Sequence, residues 1–137
     1  AAGLLLVPTV APAAIVGACD GDQASARHVA WADPTRTYAE GAIRFIALET
    51  AEPVAGPHFL MVLHPGAEGQ GTRCALISHV GASLGFAALS LRDATSSYDP
   101  TTGLTVRVPV QRFDGTDFLD GELTVVVDQA QGTVTAR

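Results

Sequence analysis

The sequence predicts a mostly-β domain, an antiparallel two-sheet β-sandwich of about seven strands. Three observations point there. Apolar residues alternate with polar ones at a period of two through the C-terminal third, where Leu104, Val106, Val108 and Val110 interleave with Thr105, Arg107, Pro109 and Gln111. The other apolar runs are short and end in Gly, Pro and Asp turn chemistry. Finally, 137 residues that are 47% hydrophobic and 16% charged suit one globular core and not two.

The chain opens on an uncharged apolar segment. Residues 1–18 resemble the apolar region of a secretory signal, with Ala11-Pro12-Ala13 as a small-residue cleavage site. Pro8 and Pro12 interrupt the run too often for a membrane-spanning helix, so no transmembrane span is expected. The string Val16-Gly17-Ala18-Cys19 resembles a bacterial lipoprotein box, which would leave the protein anchored by a lipid on Cys19. A third reading makes the segment a hydrophobic strand of the mature domain, able to complete its own sheet or a neighbour's edge. The expected organisation is therefore residues 1–18 as a signal-like or apolar segment, and residues 19–137 as one sandwich domain.

Further elements follow in order. Asp20 to Ala24 is polar, Arg27 to Trp31 reads as a short strand, and Asp33-Pro34-Thr35 as a turn. Thr37-x-x-Glu40 matches a helix capping box, but Ile43, Phe45 and Ala47 alternate with Arg44, Ile46 and Leu48, which favours a strand. His58 to His64 is a strand between Gly56-Pro57 and Pro65-Gly66. Thr72 to Val80 is another, and Gly85 to Arg92 is a strand or short helix. Pro109 marks the Leu104–Gln111 strand as an edge strand, because proline cannot donate to a ladder. Leu123, Val125 and Val127 alternate again, Gln129 to Gly132 turns, and Thr133 to Arg137 closes the chain. Such strands pack as an immunoglobulin-like or similar sandwich.

Charge and composition exclude several functions. Net charge is −6, and all eight basic residues are arginines scattered from Arg27 to Arg137, with no basic stripe for a phosphate backbone. Nucleic acid is not an expected partner. Lysine is absent, which removes Schiff-base chemistry, a P-loop lysine and a Ser–Lys pair. Asparagine is absent too, so there is no N-glycosylation acceptor. Cys19 and Cys74 are the two cysteines, and an even count in an oxidising compartment predicts a disulfide. That makes an extracytoplasmic location (periplasm, cell surface or secreted) the expectation.

Candidate chemistry is sparse. Gly81-Ala82-Ser83-Leu84-Gly85 is a G-x-S-x-G string that resembles the nucleophile elbow of the α/β-hydrolases, and Leu63-His64-Pro65-Gly66 is similar to the His-Gly oxyanion loop of that family. The resemblance implies Ser83 as nucleophile with His79 or His64 as base. Both histidines precede the serine, whereas the family's order is Ser, Asp, His, and no βαβ pattern surrounds the motif. His58, His64 and His79 could supply nitrogens to a metal, yet the Cys-His-Met spacing of a blue-copper loop is missing. Asp114, Asp117 and Asp120 are calcium candidates whose every-third-residue spacing departs from an EF-hand loop. No cofactor is expected. The reading is a non-enzymatic extracytoplasmic module with a binding or structural role and a protein or surface partner. One alternative is a self-assembling surface-filament subunit using its apolar N-terminal strand; the other is a small secreted serine hydrolase using Ser83.

Overall fold

A computed structural model of the chain describes residue 3 and residues 14–81 and 83–137. The strands are β1 (Ile15–Ala18), β2 (Thr35–Tyr38), β3 (Ile43–Glu49), β4 (His58–Pro65), β5 (Thr72–Ser78), β6 (Ala88–Leu89), β7 (Thr95–Asp99), β8 (Gly103–Phe113), β9 (Phe118–Asp128) and β10 (Thr133–Ala136). They form two antiparallel sheets of five strands, packed as a β-sandwich. The first sheet runs β1-β5-β4-β3-β2; in the second, β10-β9-β8 is completed by β6 and β7, which both pair with β8. Each sheet is thus made from one continuous half of the chain, unlike the interleaved order of an immunoglobulin domain. Among the described residues ten strands stand where about seven were expected, the added ones being short edge pieces that lack a periodic signal.

Alternation builds the core as the sequence predicts. Ile43, Phe45 and Ala47 of β3, Leu60 and Val62 of β4, and Ala75 and Ile77 of β5 face Leu104, Val106, Val108 and Val110 of β8 and Leu123, Val125 and Val127 of β9 across the sandwich. The Arg27–Trp31 strand is not formed: Ala26–His28 is a 3-10 turn, and Val29 alone bridges to Leu48. Neither is the capping-box helix; Thr37 lies in β2, and Ala39–Gly41 is the turn into β3. The ambiguous Gly85–Arg92 run yields the two-residue strand β6. The segment Ala11-Pro12-Ala13 lies outside the described residues, whereas Ile15–Ala18 pairs with Ala75–Ser78 of its own sheet.

Pro109 does not mark an edge strand. Its strand, β8, is central, with β9 on one side and β6 and β7 on the other. Ser90 N donates to Pro109 O (3.0 Å) and Ala87 N to Gln111 O (2.7 Å), so residue 109 turns its backbone edge toward β6. The missing Pro109 donor faces the break between β6 and β7, where the neighbouring strand is interrupted. The proline is accommodated by splitting its partner.

Residues 19–34 form a strap. β1 and β2 are opposite edges of the first sheet, so the connection between them crosses its outer face. There Leu48, Phe59 and Leu76 make a second apolar cluster, covered by Cys19 and Val29 of the strap together with Ile46 and Met61. Cys19 is disulfide-bonded to Cys74 on β5, pinning the strap at its start. At its end, Ala30 N donates to Ala47 O (2.9 Å) and Ala47 N to Pro34 O (2.8 Å).

The β2 side of the sandwich is closed by polar contacts. Arg36 donates through Nε to Leu91 O (2.9 Å) and through Nη2 to Arg92 O (2.6 Å), while Arg92 N donates to Asp33 Oδ2 (2.7 Å). Leu91 is fully buried, so losing Arg36 strips its carbonyl of a charged donor. Arg36→Ala should lower stability by about 1–3 kcal/mol in urea unfolding with an unchanged m-value. An unaltered midpoint would show that water replaces the guanidinium without loss.

Candidate functional site

The G-x-S-x-G string forms a tight reversal after β5. His79 N and Val80 N both donate to Leu84 O (3.1 Å each), Ser78 Oγ donates to Gly81 O (2.6 Å), and Gly81 has φ +62°. The chain then crosses the start of β4, where Gly85 N donates to Gly56 O (2.9 Å) and Phe86 and His58 exchange backbone hydrogen bonds of 2.7 and 3.0 Å. A Cβ on Gly85 would lie 2.1 Å from His58 O, so the second glycine is there to let two backbones pass. Ser83 is exposed on this turn, and Ala82 lies outside the described residues.

His64 lies at the end of β4 opposite to the one that the Ser83 turn crosses. His64 is buried, with Nδ1 3.0 Å from Pro65 O, and lies six residues along β4 from the His58 crossing, roughly 20 Å at strand rise. Such a distance is far beyond proton-transfer reach. His79 stacks on Phe86 at 5.9 Å between centroids, and Arg112 covers the same Phe86 ring at 5.3 Å. His58 is half-buried, and that burial holds its pKa below the ordinary value, against a smaller opposing pull from Glu49. His28 sits 3.4 Å from Asp22 Oδ2. Among the described residues no three His, Cys, Asp or Glu side chains gather to hold a metal.

The acidic loop serves its own turn. Asp114 Oδ1 accepts from Asp117 N (2.7 Å) and Thr116 N (2.8 Å), and these bonds hold its carboxyl below the usual carboxylate range. Asp120 Oδ1 accepts from Gln111 Nε2 across the ladder (3.2 Å). Asp114 is therefore aimed at backbone, and Asp120 at a neighbouring strand.

Two features that sequence reasoning passed over stand out instead. Trp31, at the end of the strap, is 98% exposed. With Arg27, Val29 and Ala30 it lines two concavities of about 370 Å3 each, one completed by Ala26 and Pro34, the other by His28, Glu49 and Thr50. The strap beneath is held by Asp22, which ion-pairs with Arg27 and contacts His28, bonds that lower the Asp22 pKa. At another edge, Tyr38 of β2 and Tyr98 of β7 come from opposite sheets to line one cleft over Ile43 and Leu104. A lone Trp after a strand-like run gave no signal of exposure, and the two tyrosines are far apart in sequence. Comparisons with protein-family models, with curated proteins and with solved structures find nothing that matches this chain.

Proposed function

We propose that the protein is an extracytoplasmic, non-enzymatic β-sandwich module that binds a partner surface through Trp31. The observation that carries the reading is the 98% exposure of Trp31 on a strap that is otherwise anchored. An indole left in water contributes nothing to folding, whereas tryptophan is the residue type most often found at the energetic centre of interfaces. Anchoring by the disulfide and by the Ala30–Ala47 hydrogen bond, with Asp22 bracing the strap internally, lowers the ordering cost that binding would otherwise incur.

Support for the compartment is chemical. A disulfide persists where thiols are oxidised, and among the described residues no helix is long and apolar enough to cross a membrane. A Cys19 sulfur bonded to Cys74 is not available to carry a lipid, which favours a secreted or periplasmic form over a lipid-anchored one.

The test is sedimentation with the insoluble envelope fraction of the source cells, comparing wild type with Trp31→Ala and following the emission of the single tryptophan. Wild type should co-sediment with blue-shifted emission. The variant should keep its unfolding midpoint within about 0.5 kcal/mol, as expected of an exposed site, and lose at least roughly ten-fold in retention. Equal retention of both proteins, or no retention of wild type, would remove Trp31 from the function.

A further inference from the structure

The cleft between the β2 and β7 edges is separate from the Trp31 surface and has a distinct chemistry. It measures about 340 Å3, at the lower end of small-molecule sites. Its walls are Tyr38, Ala39, Ile43, Tyr98, Leu104 and Gln129, with no charged side chain among them. Both tyrosines of the chain are here. Tyr38 is braced edge-on against Phe45, with centroids 5.4 Å apart and rings at 74°, while Tyr98 is 67% exposed at the mouth. Ile43 and Leu104 form an apolar floor that belongs to the main core.

The charges around the cleft are mostly negative. Glu40 follows Ala39, Asp99 follows Tyr98 and Asp128 precedes Gln129. A one-residue step is about 3.8 Å between α-carbons, so these carboxylates act within the roughly 10 Å screening distance at moderate salt. Asp99 and Asp128 are held in place by accepting Thr101 N (2.7 Å) and Gln131 N (3.1 Å). Two arginines are near: Arg44 lies on the outer face of β3 and donates to Gly41 O (3.0 Å), and Arg36, close enough to act on Tyr38, has its guanidinium engaged by Leu91 O and Arg92 O. Three carboxylates thus outnumber two guanidiniums, in a protein whose net charge is −6.

We propose that this cleft binds an alkylated ammonium cation, with its methyl groups on the Ile43–Leu104 floor and its charge against the tyrosine faces. Aromatic faces carry negative potential and attract weakly hydrated cations, most strongly where carboxylates add to the field and no wall is basic. A neutral apolar ligand of the same shape would use the floor but not the rings or the carboxylates. An anion would meet an unfavourable field.

The experiment titrates the protein with choline chloride and, separately, with 3,3-dimethylbutan-1-ol, its uncharged isostere, at matched ionic strength. The readout is the ring proton NMR signals of the two tyrosines, with Tyr98→Phe used to assign them. Choline should shift both rings saturably and bind at least about five-fold more tightly than the alcohol. Tyr98→Phe should keep choline affinity, because the ring face and not the hydroxyl does the binding. Tyr98→Leu, at an exposed position that does not disturb folding, should weaken it by about five-fold or more. The proposal is overturned if the alcohol binds as tightly as choline, if neither ring shifts saturably, or if Tyr98→Leu leaves choline binding unchanged.

Discussion

Gly85→Ala is expected to cost about 3–5 kcal/mol, whereas Ser83→Ala two residues earlier should change stability by no more than about 0.5 kcal/mol. The added methyl would stand 2.1 Å from His58 O, 2.8 Å from His58 C and 3.0 Å from Gly56 O, all of them backbone atoms that no rotamer change can clear. Relief requires the 85–87 segment to lift off β4. That movement breaks the Gly85–Gly56 hydrogen bond and the reciprocal pair between His58 and Phe86. Each backbone bond is worth about 1 kcal/mol net. It also withdraws Phe86, fully buried in the main core, and opens a cavity of the kind that makes phenylalanine truncation so costly. Urea unfolding of both variants gives the result directly. A Gly85→Ala protein as stable as wild type would mean that the backbone crossing is not as close as described. Background ester hydrolysis should be identical in Ser83→Ala and wild type; a selective loss in the variant would establish Ser83 as a nucleophile and overturn the non-enzymatic reading.

Reduction of Cys19–Cys74 should be the next largest effect, lowering stability by about 4 kcal/mol on the chain-entropy model for a crosslink with a sequence separation of 55. Small domains have only about 5–15 kcal/mol in total, so the reduced protein would retain a narrow margin. The loss also has a location. Without the bond, Cys19 no longer holds the strap over Leu48, Phe59 and Leu76; the β1–β5 ladder ends at Ala18 just before it, and the exposed Asp22–Arg27 pair lies within the strap itself. Hydrogen exchange after reduction should therefore accelerate first at the strap, including Val29 and Ala30, while the β8–β9 ladder stays protected. Coincident loss of protection in both regions, or an unchanged denaturation midpoint, would contradict this account.

Much of the sandwich was legible because burial of one sheet face leaves a period-two trace. The inward faces of Val106, Val108 and Val110, and of Leu123 and Val125 on the neighbouring strand, could be placed from alternation alone. The cysteine pair was legible from count and compartment logic. The capping box at Thr37 forms no helix, as the alternation from Ile43 favoured; Ala39 and Glu40 instead adopt positive φ values of 52° and 57°, a tight-turn conformation that residue type does not advertise outside glycine. The local shape of the G-x-S-x-G string was not legible for a related reason. The glycines of Gly81 to Gly85 look like a nucleophile elbow, but one supplies a left-handed turn and the other a close backbone approach, and both needs arise from where β4 lies.

By itself the sequence determined the class of fold, the faces its long strands bury, the cysteine partnership and the absence of lysine chemistry or a basic stripe. These follow from local periodicity and composition, which need no knowledge of what lies opposite. Only the tertiary structure decided that β8 is central with Pro109 facing a broken neighbour, that the strap covers the outer face of the first sheet, and that Trp31 is left in water. It alone joined Tyr38 to Tyr98, since the edges of two sheets meet through packing and not through any pattern along the chain. Exposure and juxtaposition depend on contacts between residues distant in sequence, and each side chain carries no record of which distant surface will come to rest beside it.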